Sequence, residues 1–233
     1  MVEISVIIEG GIVNTGTADA LTVDNSQALR QSINRVFSEL LKEEVSIIIQ
    51  LGAGYRNAAS QFVKHNEQGI FLYVDLDDKK DNIPNWFSRL ETENPQKPIV
   101  IPDSRKQSVF FMIQEMEAWI LKQPDSIDRW GVVNGYSRLH STDIISNHSL
   151  ITGKDIESIK KPSGVLYNLI KHFFQKEHNG KKKKIQYGKL KSAPGLLDQL
   201  DVNTLLQNDS ELQRFLSSIT TYEVGAIKQK RIQ

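Results

Sequence analysis

The 233-residue sequence predicts an α/β protein with a parallel sheet, and three apolar segments carry this prediction. ISVIIEGG (4–11), VSIIIQL (45–51) and IFLYVDL (70–76) are rich in β-branched residues, which is typical of buried strands. An amphipathic helix pattern separates the first two, and a second one follows the glycines at 52 and 54. This β-α-β-α-β order implies a parallel sheet with right-handed crossovers.

The rest of the chain gives a coarser outline. After a loop over 10–25, Ser26 is the expected N-cap of the first helix, which should continue to about Lys42. KPIVIP (97–102) is a candidate fourth strand, and the apolar segment 108–121 should start extended and turn helical. The further predicted elements are a short helix at PDSIDRWG, an irregular stretch over 134–160, a helix over 163–177 capped by Ser163, a polar loop EHNGKKKK, and short helices at about 190–199, 202–207 and 209–219. We divide the chain into a sheet domain (1–122) and an α-helical extension (123–233).

Composition narrows the possible functions. The chain has no cysteine, which excludes disulfides and thiolate metal sites. No signal-peptide pattern follows Met1 and no apolar run approaches ~20 residues, so a cytoplasmic protein without a membrane span is expected. The net charge is only +1, but residues 171–191 hold eight lysines against one acid, whereas the region 75–93 is acidic. This distribution suits a metal site beside a polyanion.

Carboxylates follow two of the predicted strands. Glu9 ends the first strand, and Asp75, Asp77 and Asp78 end the third. Ligands bind at the carboxyl ends of strands in open α/β sheets. Aspartates two positions apart on an extended segment point to one side, so Asp75 and Asp77 could face one Mg²⁺ or Mn²⁺ ion with Glu9 as a third ligand. The alternative is that these acids only serve turns and helix ends.

Two further segments contain charged residues that need an explanation. Glu117 lies in the apolar QEMEAWIL segment, where a buried carboxylate is costly unless it is paired or bound to a metal. A salt bridge to a buried lysine or arginine is the alternative to a metal. The lysines of KKKKIQYGKLK flank Tyr187, a combination that suits phosphate contacts and base stacking. The alternative is a solvated loop.

The segment LGAGYRNAA imitates a dinucleotide-binding fingerprint. It follows a strand and opens a helix, and an acid, Asp75, lies 23 residues after Gly52. Asn57 stands where the fingerprint requires its third glycine, so the glycines could equally form only a tight turn. If the segment is functional, Arg56 would reach an anionic substrate. The five histidines show no zinc-binding spacing.

The chain also resembles a known family. A glutamate after the first strand and DxD after the third resemble the Toprim domain of topoisomerases, primases and OLD-type nucleases. The segments IIEGG, LGAGYRN, FLYVDLDD, QEMEAWILKQP, KKPSGVLYNLI and YGKLKSAPGLLDQLD together resemble a bacterial Toprim-like family that is similar to RloB and is often encoded beside an AAA-type ATPase in defence-type gene neighbourhoods. The resemblance implies that Glu9, Asp75 and Asp77 are the Toprim carboxylates that serve Mg²⁺. Arg56, Glu117, Lys161 and Lys189 match family positions that have no assigned role.

The sequence therefore predicts a Mg²⁺-dependent nuclease, the effector of an ATPase-coupled phage-defence system. Its catalytic residues would be Glu9, Asp75, Asp77 and Glu117, of which the first three bind the metal. Its substrate-binding residues would be Arg56, Lys161 and Lys189. One alternative is a non-catalytic subunit that binds the ATPase or nucleic acid, and another is a nucleotide-cofactor-binding enzyme. The choice of DNA or RNA and the formation of a homo-oligomer stay open.

Overall fold

The computed structural model describes residues 2–10 and 26–230, without the side chains of His178, Leu190 and 226–230. The loop predicted over 10–25 lies outside the described residues, except for Gly10. The described strands are β1 (Val2–Ile8), β2 (Val45–Leu51), β3 (Ile70–Asp75), β4 (Val109–Met112), β5 (Ser137–Arg138), β6 (Phe174–His178) and β7 (Lys181–Lys184). The described α-helices are α1 (Ser26–Ser38), α2 (Tyr55–Lys64), α3 (Ile83–Thr92), α4 (Asp103–Lys106), α5 (Glu117–Leu121), α6 (Pro124–Val133), α7 (Pro162–Phe173), α8 (Lys189–Leu197), α9 (Val202–Gln207) and α10 (Ser210–Lys230).

The main sheet has four parallel strands in the order β2-β1-β3-β4. The chain moves from β1 outward to β2 and then returns to place β3 on the other side of β1. The strand order therefore reverses between β1 and β3, which makes their carboxyl ends the topological switch point of the sheet. The predicted α/β class, with a parallel sheet flanked by helices, is confirmed.

Two apolar clusters cover the two faces of this sheet. Alternate side chains of β1 separate accordingly, with Ile4, Val6 and Ile8 in one cluster and Ile7 in the other. The first cluster also holds α1, α5, α7 and part of α10, and the second holds α2 and α3. Because both faces are covered, β1, β3 and β4 are mostly buried and their sequences are mostly apolar, whereas the edge strand β2 is only partly buried.

The C-terminal part packs on the first cluster and is mostly helical, as predicted. It also contains an antiparallel sheet of three strands, β5-β6-β7, which the sequence analysis did not predict. The boundary expected at residue 122 falls in the short link between α5 and α6. Helix α8 packs on α1 and α10 packs on β4, so the two parts of the chain share one core.

Three predicted elements were wrong. The segment 97–102 is not a strand: its prolines at 98 and 102 lack the N–H group that a ladder requires, and Val100 is 58% exposed. The fourth strand is β4, which is buried throughout. The helix predicted over 163–177 ends at Phe173, and the predicted EHNGKKKK loop is instead the β6–β7 hairpin. Its turn is Asn179-Gly180, with φ angles of 51° and 69°, as a type I′ turn requires.

Among the described residues, no helix has both the length and the apolar character that crossing a membrane requires.

Candidate functional site

Glu9 and Asp75 meet at the topological switch point. Glu9 directly follows β1, and its backbone N–H donates to the Tyr73 carbonyl at 3.2 Å, which joins this strand end to β3. Asp75 is the last residue of β3. The parallel pairing of β1 and β3 thus places the two carboxyl groups on adjacent strand ends, as the sequence analysis expected.

Asp75 is buried, with 7% of its surface exposed, and both of its carboxylate oxygens have partners. Oδ1 accepts a hydrogen bond from the Met116 N–H at 2.9 Å, and Oδ2 accepts one from the Lys189 ammonium at 3.0 Å. Lys189 is the first residue of α8, so this contact joins residues 114 positions apart. Lys189 belonged to the predicted site, but its contact with Asp75 was not predicted.

Glu117 is fully buried at the first position of α5. The hydroxyl of Tyr187 donates to its Oε1 at 2.6 Å, and Lys189 Nζ lies 3.7 Å from its Oε2. Oε2 has no hydrogen-bond partner. The structure pairs this carboxylate with the same lysine that binds Asp75, as in the salt-bridge alternative, although Lys189 is about half exposed rather than buried. The Lys189 ammonium therefore lies between two carboxylates from different elements.

Asp77 lies in a turn with an uncommon backbone conformation. Its φ is 58°, and that of Gln114, in the loop after β4, is 64°. The two loops bind each other: the Asp77 N–H donates to the Gln114 carbonyl at 2.7 Å, and the Gln114 N–H donates to the Asp78 carbonyl at 3.1 Å. Left-handed non-glycine residues cost about 1–3 kcal/mol each and cluster at functional sites. The Asp78 carboxylate accepts from the Lys79 N–H at 2.8 Å, which is the local turn role that the alternative interpretation proposed.

Glu115 is a site residue that the sequence analysis did not select. Its Oε2 accepts a hydrogen bond from the Ser163 N–H at 2.8 Å and so caps the amino end of α7. Ser163 itself is not the N-cap as predicted; that position is Lys161, which is exposed and has a φ of 54°. Glu115 thereby brings the end of α7 and Lys161 to the border of the carboxylate cluster. The two-residue spacing of Glu115 and Glu117 was the only sequence signal for Glu115. It could not show which of the two acids would cap a helix and which would face Lys189.

The carboxylates raise one another's pKa values. Burial, together with the charges of Asp75 and Asp77, raises the pKa of Glu9 from 4.5 to about 8. Burial also raises the pKa values of Asp75, Asp77 and Glu117. Although burial opposes its charged form, the carboxylates of Asp75 and Glu117 raise the pKa of Lys189 above its usual value. The Lys189 ammonium contacts Asp75 and Glu117, and its charge also acts on Glu9 and Asp77, so the cluster as a whole favours additional positive charge.

Oxygen donors of this kind suit a hard divalent cation. Two buried carboxylate oxygens, Glu9 Oε2 and Glu117 Oε2, have no hydrogen-bond partner and are available as ligands. Within residues 2–10 and 26–230, however, no three acidic or histidine side chains are arranged as a complete metal-binding group. The donor chemistry therefore fits Mg²⁺, and binding it through Glu9, Asp75 and Asp77 would require the Glu9 and Asp77 side chains to rotate towards the fixed Asp75.

Arg56 is not brought to the carboxylates by any contact in the described part of the chain. Its guanidinium donates to the Leu90 carbonyl at 3.0 Å and to the Lys97 carbonyl at 2.7 Å. It also lies 3.6 Å from a Glu93 carboxylate oxygen. These contacts fix the carboxyl end of α3, where a positive charge is favourable. They give Arg56 a structural role, and we do not include it in the proposed site.

The glycines of the LGAGYRN segment also have a structural explanation. A Cβ on Gly52 would lie 2.4 Å from the Cβ of Ala58, so only glycine permits this approach of α2 to the end of β2. Gly54 has a φ of 99°, and the Asn57 side-chain amide donates to the Gly52 carbonyl. The loop thus satisfies its own packing and part of its own hydrogen bonding, which removes the main argument for a nucleotide there.

Glu9 gives a testable pH dependence of stability. Between pH 4.5 and about 8, the folded chain retains a proton on Glu9 that the unfolded chain has released. The free energy of unfolding should therefore fall as the pH rises through this window, by at most about 1.4 kcal/mol per pH unit for one group. In Glu9→Gln the fall should be shallower. Urea unfolding across this window in EDTA measures it, with the exposed Glu43→Gln as the control; equal slopes in wild type and Glu9→Gln would contradict the prediction.

The chain was compared with protein-family models, with curated proteins and with solved structures, and none of the three comparisons found a match. The resemblance to Toprim-like proteins stays a prediction from the sequence segments quoted above. The evidence for function is therefore the geometry and electrostatics of the carboxylate cluster.

Proposed function

We propose that the protein is a divalent-cation-dependent nuclease that hydrolyses phosphodiester bonds at the carboxylate cluster. The observation that carries this proposal is the contact of the Lys189 ammonium with both Asp75 and Glu117 at the switch point of the sheet, where the charges of Asp75 and Asp77 also act on Glu9. Perturbed acidic groups that share a ligand-binding position are typical of catalytic sites. The Toprim resemblance supports the same assignment independently of the geometry.

In this proposal Glu9, Asp75 and Asp77 hold Mg²⁺ or Mn²⁺. A bound divalent cation polarises a phosphoryl oxygen and lowers the pKa of a water molecule. The Met116 N–H holds Asp75 through a hydrogen bond to Oδ1. The other oxygen, Oδ2, faces the positive charge of Lys189. Asp75 would therefore hold the cation while its Oδ1 keeps the hydrogen bond from the Met116 N–H.

Glu117 and Lys189 supply the remaining chemistry. Burial raises the pKa of Glu117 while the Lys189 ammonium lowers it, and in this proposal a proton from the Glu117 carboxyl group passes to the leaving oxygen when the P–O bond breaks. Tyr187 holds Oε1, and this contact orients Oε2 for the transfer. Lys189, which is about half exposed, can contact a phosphate oxygen from the solvent side. Exposed Lys161, at the border of the site, can contact the next phosphate.

The ATPase partner and the phage-defence role rest on the family resemblance alone. The resemblance predicts an AAA-type ATPase that acts together with this protein in the cytoplasm. We retain this as part of the proposal, because an ATPase could regulate a nuclease whose unregulated activity would damage the cell.

A second candidate function is a nucleic-acid-binding subunit without catalytic activity. The observation that favours it is the position of Lys189, whose ammonium already neutralises Asp75 and Glu117 without a metal. The two functions differ in whether a divalent cation binds and whether nucleic acid is cut.

Cleavage and cation binding test the proposal together. Wild-type protein is incubated with end-labelled single-stranded DNA, duplex DNA and RNA in Mg²⁺, in Mn²⁺ or in EDTA, and Mn²⁺ binding is measured by calorimetry. We expect products only with a cation, and loss of the calorimetric signal in Asp77→Ala but not in the exposed control Asp125→Ala. Cation binding without cleavage of any substrate would favour the non-catalytic subunit. If the wild type neither binds a cation nor cleaves any substrate, the result would contradict a metal-dependent site.

A further inference from the structure

A basic cavity of about 400 Å³ lies between the β6–β7 hairpin, the end of α6 and the start of α8. Four of its lining residues are exposed lysines: Lys176 on β6, Lys183 and Lys184 on β7, and Lys191 on α8. The described lining residues include no carboxylate that could neutralise them. The cavity therefore concentrates positive charge on a concave surface, which attracts a polyanion.

The hairpin itself places like charges together. Lys176 and Lys183 are directly paired across the two strands, an arrangement that destabilises a sheet when nothing lies between the charges. The base of the hairpin is nevertheless well anchored. The Ile185 N–H donates to the Phe174 carbonyl at 2.9 Å, and both side chains are buried in the main core. The lysines are thus presented by an ordered element at an energetic cost that a bound anion would remove.

The basic cavity and the carboxylate site both include residues from the first turn of α8. Lys191 lines the cavity, whereas Lys189, two positions earlier on α8, binds Asp75. Consecutive Cα atoms are 3.80 Å apart, so the Cα atoms of these two lysines are at most about 7.6 Å apart. Successive phosphates along one strand of duplex DNA advance by about 3.4 Å along the helix axis. A single strand of a few nucleotides could therefore contact both positions at once.

We propose that this cavity binds the phosphate backbone of nucleic acid and leads the strand to the carboxylate cluster. The inference rests on the proposed function for the site that receives the strand, and it adds the surface that holds it. Lys176, Lys183, Lys184 and Lys191 contact successive phosphates. The half-buried ring of Tyr136, which also lines the cavity, offers a face on which a base can stack.

The test measures binding alone, in EDTA, so that it does not depend on cleavage. Fluorescence anisotropy with labelled single-stranded DNA, duplex DNA and RNA is recorded over a range of salt concentrations. The cavity variant replaces Lys176, Lys183, Lys184 and Lys191 with glutamine. The matched control makes the same change at four exposed lysines elsewhere: Lys42, Lys64, Lys97 and Lys154. A third variant replaces the four cavity lysines with arginine and so keeps the charge.

We expect at least tenfold weaker binding in the glutamine variant of the cavity, and a salt slope that is smaller by about 3 for a single strand. The control and the arginine variant should bind like the wild type, and thermal unfolding should show that all are folded. Equal binding by the cavity variant and the control, or no binding by the wild type, would overturn the inference. If the cavity binds nucleic acid but Asp75 proves irrelevant to cleavage, only the proposed nuclease function fails.

Discussion

Replacing Asp75 with alanine should lower the rate of cation-dependent cleavage by about a thousandfold. Catalysis by a divalent cation contributes several kcal/mol to the stabilisation of the transition state, and about 4 kcal/mol corresponds to this factor. Asp75 is the residue of the cluster that contacts both the Met116 backbone and the Lys189 ammonium, so it links the strand end to the helical part. A cleavage assay under single-turnover conditions measures the change.

Two variants separate the loss of a ligand from the loss of structure. Asp75→Asn keeps an oxygen that can accept from the Met116 N–H, so it should fold like the wild type and still lose cleavage. Asp78→Ala is the matched control, because Asp78 lies three residues away and serves a local turn. Wild-type rates in Asp75→Asn would mean that the carboxylate is not needed. An equal loss in Asp78→Ala would mean that the turn, rather than the ligand, is responsible.

The strands that position the site were predictable because their signal is local. Apolar β-branched segments define β1, β2 and β3, and the acids that follow β1 and β3 stand out against them. The α/β order then implies that these ends lie at one edge of the sheet. Identifying the strands and inferring their parallel order were therefore enough to bring Glu9 and Asp75 together. Both steps depend on local sequence patterns and not on long-range contacts.

The residues that complete the site were not predictable in this way, because they arrive from distant parts of the chain. Tyr187 looked like a stacking residue among lysines, but its hydroxyl donates to Glu117, 70 positions earlier. Glu115 and Glu117 could not be told apart from their spacing, and one caps α7 while the other binds Tyr187 and Lys189. The lysine run was equally ambiguous: the Asn179-Gly180 turn signal was present, but its flanking residues lack the apolar alternation that normally identifies a hairpin.

Backbone strain was also invisible in the sequence. Ala53, Asp77 and Gln114 follow β2, β3 and β4, and all three adopt positive φ angles. Turns at the carboxyl edge of the main sheet are thus held in a costly conformation by contacts between loops. Such strain persists only where the surrounding structure enforces it. It supports the view that this edge, rather than the opposite end of the strands, is the functional one.

The second large effect concerns stability, because α5 carries Glu117 and a buried ion pair holds α5 in place. The Lys122 ammonium, 9% exposed, contacts Asp209 at 2.9 Å and Glu157 at 2.7 Å. Asp209 also accepts from the Trp119 indole N–H at 2.9 Å and from the Leu212 N–H at 2.9 Å. Asp209→Ala should therefore cost about 3–5 kcal/mol of unfolding free energy, since it leaves a buried charge and two donors without this partner. Urea unfolding measures it.

A comparison with an exposed pair shows why burial decides this outcome. Lys106 and Asp103 lie 2.7 Å apart, which is as close as the buried pair, but Asp103 is almost fully exposed. Asp103→Ala should leave the unfolding midpoint unchanged, because exposed pairs contribute little. The double variant Lys122→Met/Asp209→Asn should lose less stability than the sum of its single variants, since Lys122→Met alone leaves Asp209 as a buried charge without its ammonium and the double variant does not. Additive losses would show that Asp209 stabilises the fold only through its hydrogen bonds with Trp119 and with the amino end of α10. In that case Glu117 would be positioned by packing rather than by charge.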